Sequence, residues 1–446
     1  MSILVSIAFL AEFLLLANFL VVSLKSKGLS FRLGVAFGIL YFIFIPVFMM
    51  LVTGVLLLPR VDFGLTSLSD VILDENISAS WWLVAYLFGI ISYLYLPEFR
   101  AKGLLSGKVV SSAISGIWRF PFLLYLVLGI SIFLGSGMLQ GGNWYGNRQD
   151  FMESGGSLAV LMVFAMNASK VIFLTLLFTS WMRRRSLYLL LALALFLLLD
   201  MLLSGNRIYA FLVASMVLLI YFKKYPATVI KYSLLSIPGL YLAGYFASIF
   251  RHMRGPLFAE GFPDPGKFIE VLRFAIRHEP PDVYNFLSGI SESVNVNVIY
   301  GLFGRFEGFL HGATYLKTVL FPIPRSIWQG KPQPITNIAG DFFGSASLVT
   351  TYIGEMFMNF SYFGALLSPL LLLFTEFLLI RLFQRFAIYG APLLFLLGLM
   401  LFRMPYSDTM ILALFAYAIL RTASARWKFS LPGNSETISL KSSQKP

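Results

Sequence analysis

Four short stretches of this sequence carry residue types that could do chemistry. "LSGNRIYAF" puts Arg207 directly after Gly205 and Asn206, which suit the positive φ of a tight turn. "FPIPRSIWQGKPQP" (Phe321 to Pro334) sets Arg325 and Lys331 on a proline-braced segment that cannot become helix. "YIGEMFMNFSYFG" holds Glu355 among aromatic and Met side chains, and "FRMPYSD" holds Arg403. Arginine keeps its charge, grips phosphate with a bidentate fork and tolerates partial burial better than lysine. A carboxylate dried by apolar neighbours is pushed up in pKa, which fits it for proton transfer. Guanidiniums with one such carboxylate are the parts needed to stabilise a leaving diphosphate while deprotonating an attacking hydroxyl. A salt-bridged structural Glu355 is the plain alternative.

These residues must be positioned by elements that are almost wholly apolar. Of 446 residues 58% are hydrophobic and 12% charged, and the mean hydropathy is +0.81. Apolar runs of about 20 residues broken by short charged loops predict an all-α polytopic membrane protein. About eleven spans (range about 10–12) are expected, near 2–23, 34–57, 80–97, 120–138, 157–181, 187–203, 208–222, 228–249, 360–380, 388–403 and 405–421. The first run is too long for a signal-peptide core and lacks a basic leader, so it reads as a retained helix. The chain has no cysteine, which excludes disulfides, thiolate catalysis and Cys-based metal sites. Its three histidines, His252, His278 and His311, argue against a multi-His metal site. No carboxylate metal cage, Walker motif, dinucleotide fingerprint or HExxH is present, so neither metal nor cofactor is expected.

The net charge of +13 could suggest nucleic acid, but the positive-inside rule accounts for it and no nucleic-acid partner is expected. The basic loops are 24–33, 98–119, 182–186, the Lys223–Lys224 turn, Arg381 with Arg385, and the tail. All fall on one side if the N-terminus is outside and the C-terminus inside. The expected organisation is then 1–249 N-terminal spans, 250–359 a large outer segment, 360–421 C-terminal spans and 422–446 a polar, disordered tail. The outer segment nevertheless holds Arg251, Arg254, Lys267, Arg273, Arg277, Arg305, Lys317, Arg325 and Lys331. Long translocated loops escape the charge rule, so these cations are either tolerated or gathered around an anionic ligand.

Within that segment Lys267 to Pro280 predicts an amphipathic interfacial helix with Phe268, Val271, Leu272 and Ile276 on one face. "GLFGRFEGFLHGATYL" resembles a second one. Lys170, Asp200 and Glu376 lie at membrane depth, where charges are costly. For Lys170 and Glu376 an intramembrane pair or end anchor is the favoured reading. Arg207 opens a helix beside free backbone N–H groups, so cation and helix N-terminus together can hold an anion; an interfacial Arg snorkelling to headgroups is the alternative. The economical ligand for several outer guanidiniums is a membrane-surface diphosphate of the kind carried by polyprenyl-diphosphate sugars. Glu355, or otherwise His252 or Glu307, would take the acceptor proton.

The same residues carry a family resemblance. "SGNRIYAFLVASMVLLI" resembles the Gly-X-Arg turn and following helix of Wzy-type O-antigen and oligosaccharide-repeat-unit polymerases, integral membrane glycosyltransferases of GT-C-like architecture. "FPIPRSIWQGKP" resembles their Pro-Arg-X-X-Trp-X-X-Lys-Pro loop, and "GEMFMNFSYFGALLSPLL" is similar to their Gly-Glu segment and aromatic-Gly helix. The three segments cover about a tenth of the chain, in the family's order. The resemblance implies a metal-independent enzyme of the bacterial inner membrane, active at the periplasmic face. It would transfer a growing glycan from undecaprenyl diphosphate to the next lipid-linked unit. Arg207, Arg325, Lys331 and Glu355 fall on the matching positions; Arg251, Arg254, Arg305 and Arg403 are added from charge and placement. Implied partners are undecaprenyl-diphosphate-linked oligosaccharides and the bilayer, with a chain-length regulator and a flippase.

Two alternatives stay open. The related O-antigen ligases share the architecture, but would be expected to show a His near the final outer segment, and this one has none. A flippase or transporter would show paired similar halves and midplane charges; no internal repeat is visible, and the notable charges sit at the outer rim.

Overall fold

The second helix begins where a serine can cap it. Ser30 is extended and its Oγ accepts from the Leu33 N–H, so the chain turns back into helix at Phe31. The computed structural model describes residues 3–26, 28–48, 76–98, 117–136, 151–152, 155–184, 186–204, 208–225, 249, 253, 265–278, 294–321, 323, 327–343 and 349–429. Among the described residues the fold is all-helical, without a strand. In chain order the helices are α1 (Ile3–Ser26), α2 (Phe31–Ile39), α3 (Asn76–Tyr95), α4 (Arg119–Gly135), α5 (Gly156–Arg184), α6 (Leu187–Ser204) and α7 (Ile208–Lys224). Then come α8 (Pro265–His278), α9 (Val294–Arg305), α10 (Ala313–Val319), α11 (Ile335–Phe342), α12 (Thr351–Phe360), α13 (Phe363–Phe383), α14 (Ala387–Met400) and α15 (Tyr406–Phe429). A π-helical stretch, Leu40–Phe44, prolongs α2.

Among the described residues five helical stretches are long and apolar enough to cross a membrane: Ile3–Leu24, Phe31–Phe48, Ser78–Tyr95, Gly156–Arg184 and Phe363–Phe386. Large apolar side chains point outwards along them, such as Leu10, Phe88 and Leu370. That pattern is compatible with a membrane protein. The spans expected near 80–97, 157–181, 360–380 and 388–403 each fall on a helix. The one expected near 228–249 lies outside the described residues except at Ile249, as do most of the 58–79 and 98–119 loops and the tail from 430.

The amphipathic helix expected from Lys267 is α8. Its Ala275, with Val271 and Leu272, packs on Ile249 and Met253, while Phe268, Ile269, Phe274 and Ile276 stay exposed. The second expected amphipathic helix, over Gly301 to Leu316, does not form as one piece. Gly308 (φ 97), His311 (φ 47) and Gly312 (φ 83) take left-handed backbone, which breaks the stretch into the end of α9, a turn and α10.

Two close helix contacts order the bundle. A Cβ on Gly34 would strike the Phe395 carbonyl and one on Gly398 the Phe31 carbonyl, so α2 and α14 meet backbone to backbone. Helices α3 and α13 run side by side: Trp82 stacks on Tyr362 at 3.8 Å, and the Tyr86 hydroxyl donates to the Ser361 carbonyl at 2.6 Å. Residues of α9, α10 and α12 belong to the same continuous apolar core as these helices.

The deep charges are paired. Arg32 grips Glu376 through Nε (3.0 Å to each oxygen) and Nη2 (2.7 Å to Oε2), and its guanidinium also donates to the carbonyls of Leu94, Leu96 and Pro97. Lys170 Nζ lies 2.9 and 3.0 Å from the Asp200 oxygens, the Tyr125 hydroxyl donates to Asp200 Oδ1, and the ammonium sits over the Tyr209 ring. One pair joins α2, α13 and the end of α3; the other joins α4, α5, α6 and α7. Removing one partner strands a buried charge, at a cost of about 3–5 kcal/mol. Glu376→Gln should therefore lower the melting temperature of the purified protein clearly, and an unchanged melt would show that the carbonyls alone satisfy Arg32.

Candidate functional site

Glu355 lies in the middle of α12, with a side chain that is fully buried. Both carboxylate oxygens are held. Oε1 accepts from Thr314 Oγ1 at 2.6 Å, and Oε2 accepts from the Ser407 backbone N–H at 3.0 Å. Asn359, one turn further along α12, donates through Nδ2 to Thr314 Oγ1 and to the Glu355 carbonyl, both at 2.8 Å. The Asn359 amide therefore directs the threonine proton onto the carboxylate. Ser407 belongs to the first turn of α15, so one donor is an unsatisfied N–H at a helix N-terminus, where negative charge is favoured. Glu355 thus stands where α10, α12 and α15 meet.

Aromatic rings dry the junction. Tyr315 stacks on Phe360 at 5.5 Å and lies 5.0 Å from Tyr406, and its hydroxyl reaches Met356 Sδ. Burial pushes the Glu355 carboxyl up to about 7. The hydrogen bonds from Thr314 and Ser407 pull it back, and neighbouring Asp408 adds a smaller push upwards. Among the described residues the hydrogen-bond donors to the carboxylate are neutral, a hydroxyl and a backbone N–H.

The backbone around α12 is strained at both ends. Thr351 enters it at φ 56 and Ser361 leaves it at φ 52. A β-branched residue in the left-handed region costs on the order of 1–3 kcal/mol, and such outliers cluster at functional sites. The Thr350 and Thr351 hydroxyls are buried and have no hydrogen-bond partner among the described residues. Two backbone bonds hold the helix in place: Tyr352 N–H to the Leu401 carbonyl at 2.8 Å, and Leu310 N–H to the Met358 carbonyl at 2.9 Å.

Those bonds join α12 to the turns that carry two further expected residues. Half-buried Arg403 lies in the 401–405 turn between α14 and α15, four residues before Ser407, and exposed Glu307 lies in the 306–312 turn. Lys331 is elsewhere. Its ammonium donates to the carbonyls of Phe321 and Ile323, both at 2.8 Å, and covers the Phe321 ring. Phe321 in turn sits edge-on to Phe164 of α5 and Phe415 of α15, so the lysine closes its own loop onto the bundle. Arg207, Arg251, His252, Arg254 and Arg325 lie outside the described residues, and so does the side chain of Arg305, the last residue of α9.

Thr314, Asn359 and the Ser407 N–H were not foreseen. Asn359 had a signal, the i, i+4 spacing from Glu355 on one helix face. Thr314, 41 residues away, and a backbone amide had none. No family model, no curated protein and no solved structure matches this chain.

The folded chain keeps the Glu355 proton up to about pH 7, whereas an ordinary glutamate loses it near 4.5. Between these values the unfolded state binds fewer protons, so stability falls as pH rises across the window and levels off above it. Thermal melts of wild type and Glu355→Gln between acid and mildly alkaline pH should separate this contribution. The variant should lack that decline, worth on the order of 3 kcal/mol; parallel curves would place the Glu355 titration at its ordinary value.

Proposed function

We propose that the chain joins undecaprenyl-diphosphate-linked oligosaccharide repeat units into a long polysaccharide at the outer face of a bacterial inner membrane. The observation that carries the reading is the Glu355 junction. A buried carboxyl tuned to about 7 accepts, among the described residues, from neutral donors and neighbours the arginine-bearing 401–405 turn, within a segment rich in cations. In the proposed reaction an acceptor hydroxyl attacks the anomeric carbon of the donor glycan. The carbon–oxygen bond to undecaprenyl diphosphate breaks, the diphosphate leaves, and the acceptor proton passes to Glu355. Arg207, Arg325, Arg403, Arg251, Arg254 and Arg305 are the candidates for holding the leaving diphosphate. About eleven spans with the N-terminus outside, and 250–359 as the large outer segment, belong to the same proposal. Its helix α8 would rest on the outer leaflet through Phe268, Ile269 and Ile276, with Arg273 and Arg277 towards the headgroups.

Deleting the gene should replace a long-chain surface glycan ladder by single repeats. An unchanged ladder would overturn the proposal; long glycan retained on the lipid carrier would indicate a ligase, and repeats stranded on the inner side a flippase. In a purified assay with synthetic lipid-linked units, Arg207→Lys should lose most activity, because an ammonium cannot reproduce the bidentate phosphate contact. Glu355→Gln should fold and bind donor but turn over on the order of a hundredfold or more slowly. Wild-type turnover should rise with pH through about 7, and a Gln variant with normal turnover would remove Glu355 as the base.

A further inference from the structure

Helix α1 contributes a second buried acid that the proposed reaction does not use. Its inward face reads Val5, Phe9, Glu12, Leu16, Phe19, Leu20 and Ser23, a helical stripe on which Glu12 takes the place of a core apolar residue. Glu12 is only 4% exposed, and neither carboxyl oxygen has a hydrogen-bond partner among the described residues. The other buried Asp and Glu side chains among the described residues are held: Asp200 by Lys170 and Tyr125, Glu376 by Arg32, and Glu355 by Thr314 and Ser407. Glu12 lies nine residues after the first residue of α1, about 14 Å along its axis, so it falls near the middle of an apolar stretch of 22 residues.

What surrounds it sharpens the contrast. Phe9 and Phe13, on either side of Glu12, both pack edge-on against Phe44, at 6.2 and 5.8 Å. Phe44 closes the π-helical stretch, a departure from α-helix that is rare and often found at functional sites. Helices α2, α3 and α7 pack against α1. Their titratable groups, with the π stretch, are Arg32, Tyr41, Tyr86, Tyr93, Tyr95, Tyr209, Tyr221, Lys223 and Lys224. Arg32 is committed to Glu376, Tyr86 to Ser361, Tyr95 to the Leu15 carbonyl and Tyr209 to Lys170. Lys223 and Lys224 are the last two residues of α7, with side chains outside the described residues, and none of the other groups bonds to Glu12.

An ionised carboxylate at that depth, without cation or donor, carries a desolvation cost that nothing nearby offsets. We propose that Glu12 is a proton-binding site inside the membrane, with a proton and not a metal cation or a basic side chain as its ligand. Intramembrane acids of this kind serve as proton relays, and a neutral carboxyl is the one form of Glu that this apolar stripe accommodates. The inference does not rest on the polymerase reading, since it uses none of the residues around Glu355.

The test uses the full-length purified protein in lipid nanodiscs at neutral pH. Infrared spectra of wild type and Glu12→Gln are compared for the carbonyl stretch of a protonated carboxyl, and dicyclohexylcarbodiimide is used as a lipid-soluble probe of the same group. That reagent adds the acid O–H across its C=N bond, and the O-acylisourea formed rearranges to a stable N-acylurea found by peptide mass mapping. Exposed carboxyls are ionised at neutral pH and react little. The expected result is loss of one protonated-carboxyl band in Glu12→Gln, with labelling of Glu12 at least about tenfold above exposed glutamates and insensitive to sodium. Gln is neutral and nearly isosteric, so the variant should melt like wild type. Identical infrared spectra would overturn the proposal whatever the labelling, and labelling suppressed by sodium would overturn it in favour of a cation site.

Discussion

Charge inside this bundle has to be answered inside the bundle. Where the surroundings are lipid and apolar side chains, no water is at hand to solvate a buried carboxylate or ammonium. The buried acids form a graded series under that constraint. Asp200 and Glu376 meet full opposite charges, and Asp200 a hydroxyl besides. Among the described residues Glu355 accepts from neutral donors, and Glu12 has no hydrogen-bond partner. Each step down the series trades fixed structure for a carboxyl able to exchange its proton. The two paired acids tie helices distant in sequence: Arg32 and Glu376 are 344 residues apart, and their pair gathers α2, α3 and α13 at one level. The functional reading begins where the pairing ends.

Positioning of the Glu355 junction follows from that frame. The Arg32–Glu376 pair fixes the second half of α13, and the Tyr86–Ser361 bond fixes the chain two residues before its first residue, Phe363. With the chain held at both places, the stretch immediately before α13 has little freedom. Helix α12 is therefore forced in through Thr351 and out through Ser361, both in left-handed backbone. The core around Tyr352, Met356 and Phe357 holds that strain in place. A ten-residue helix with both ends over-determined is a rigid mount for one carboxylate.

Much of the helical frame was legible in the sequence, because twenty-residue apolar runs leave few alternatives. Ser30 as a start and Arg381 as a stop are the ordinary signals of helix ends. Pairing of Lys170 and Glu376 was readable as a need, since a charge at membrane depth must find a partner; which partner was not, because Asp200 and Arg32 come from other helices. Glu12 escaped notice for the opposite reason. A single acid in the middle of the first apolar run reads as a tolerated defect until the stripe from Val5 to Ser23 shows it facing inwards. The Gly301 to Leu316 stretch misled because its apolar spacing suits a helix, whereas the turn depends on left-handed backbone at three residues, only two of which are glycine. Lys331 was expected to meet a diphosphate, and its bonds to the Phe321 and Ile323 carbonyls were not legible, because they depend on how the loop folds back on itself.

The burial of Glu355 bears on how the proposed reaction would proceed. Glu355 is sealed in the core with both oxygens occupied. A base in that state can receive an acceptor proton through Thr314, whose hydroxyl already bonds to it and accepts from Asn359. The threonine can then pass one proton inward while taking another from outside, so the carboxyl need not leave its pocket. Such a relay requires a hydroxyl at 314 specifically. Valine there would keep the shape and the burial but cut the proton path, whereas serine would retain it. In the proposed reaction the polar groups behind Glu355 would be the working part of the junction, with the aromatic shell of Tyr315, Tyr352 and Tyr406 excluding bulk water.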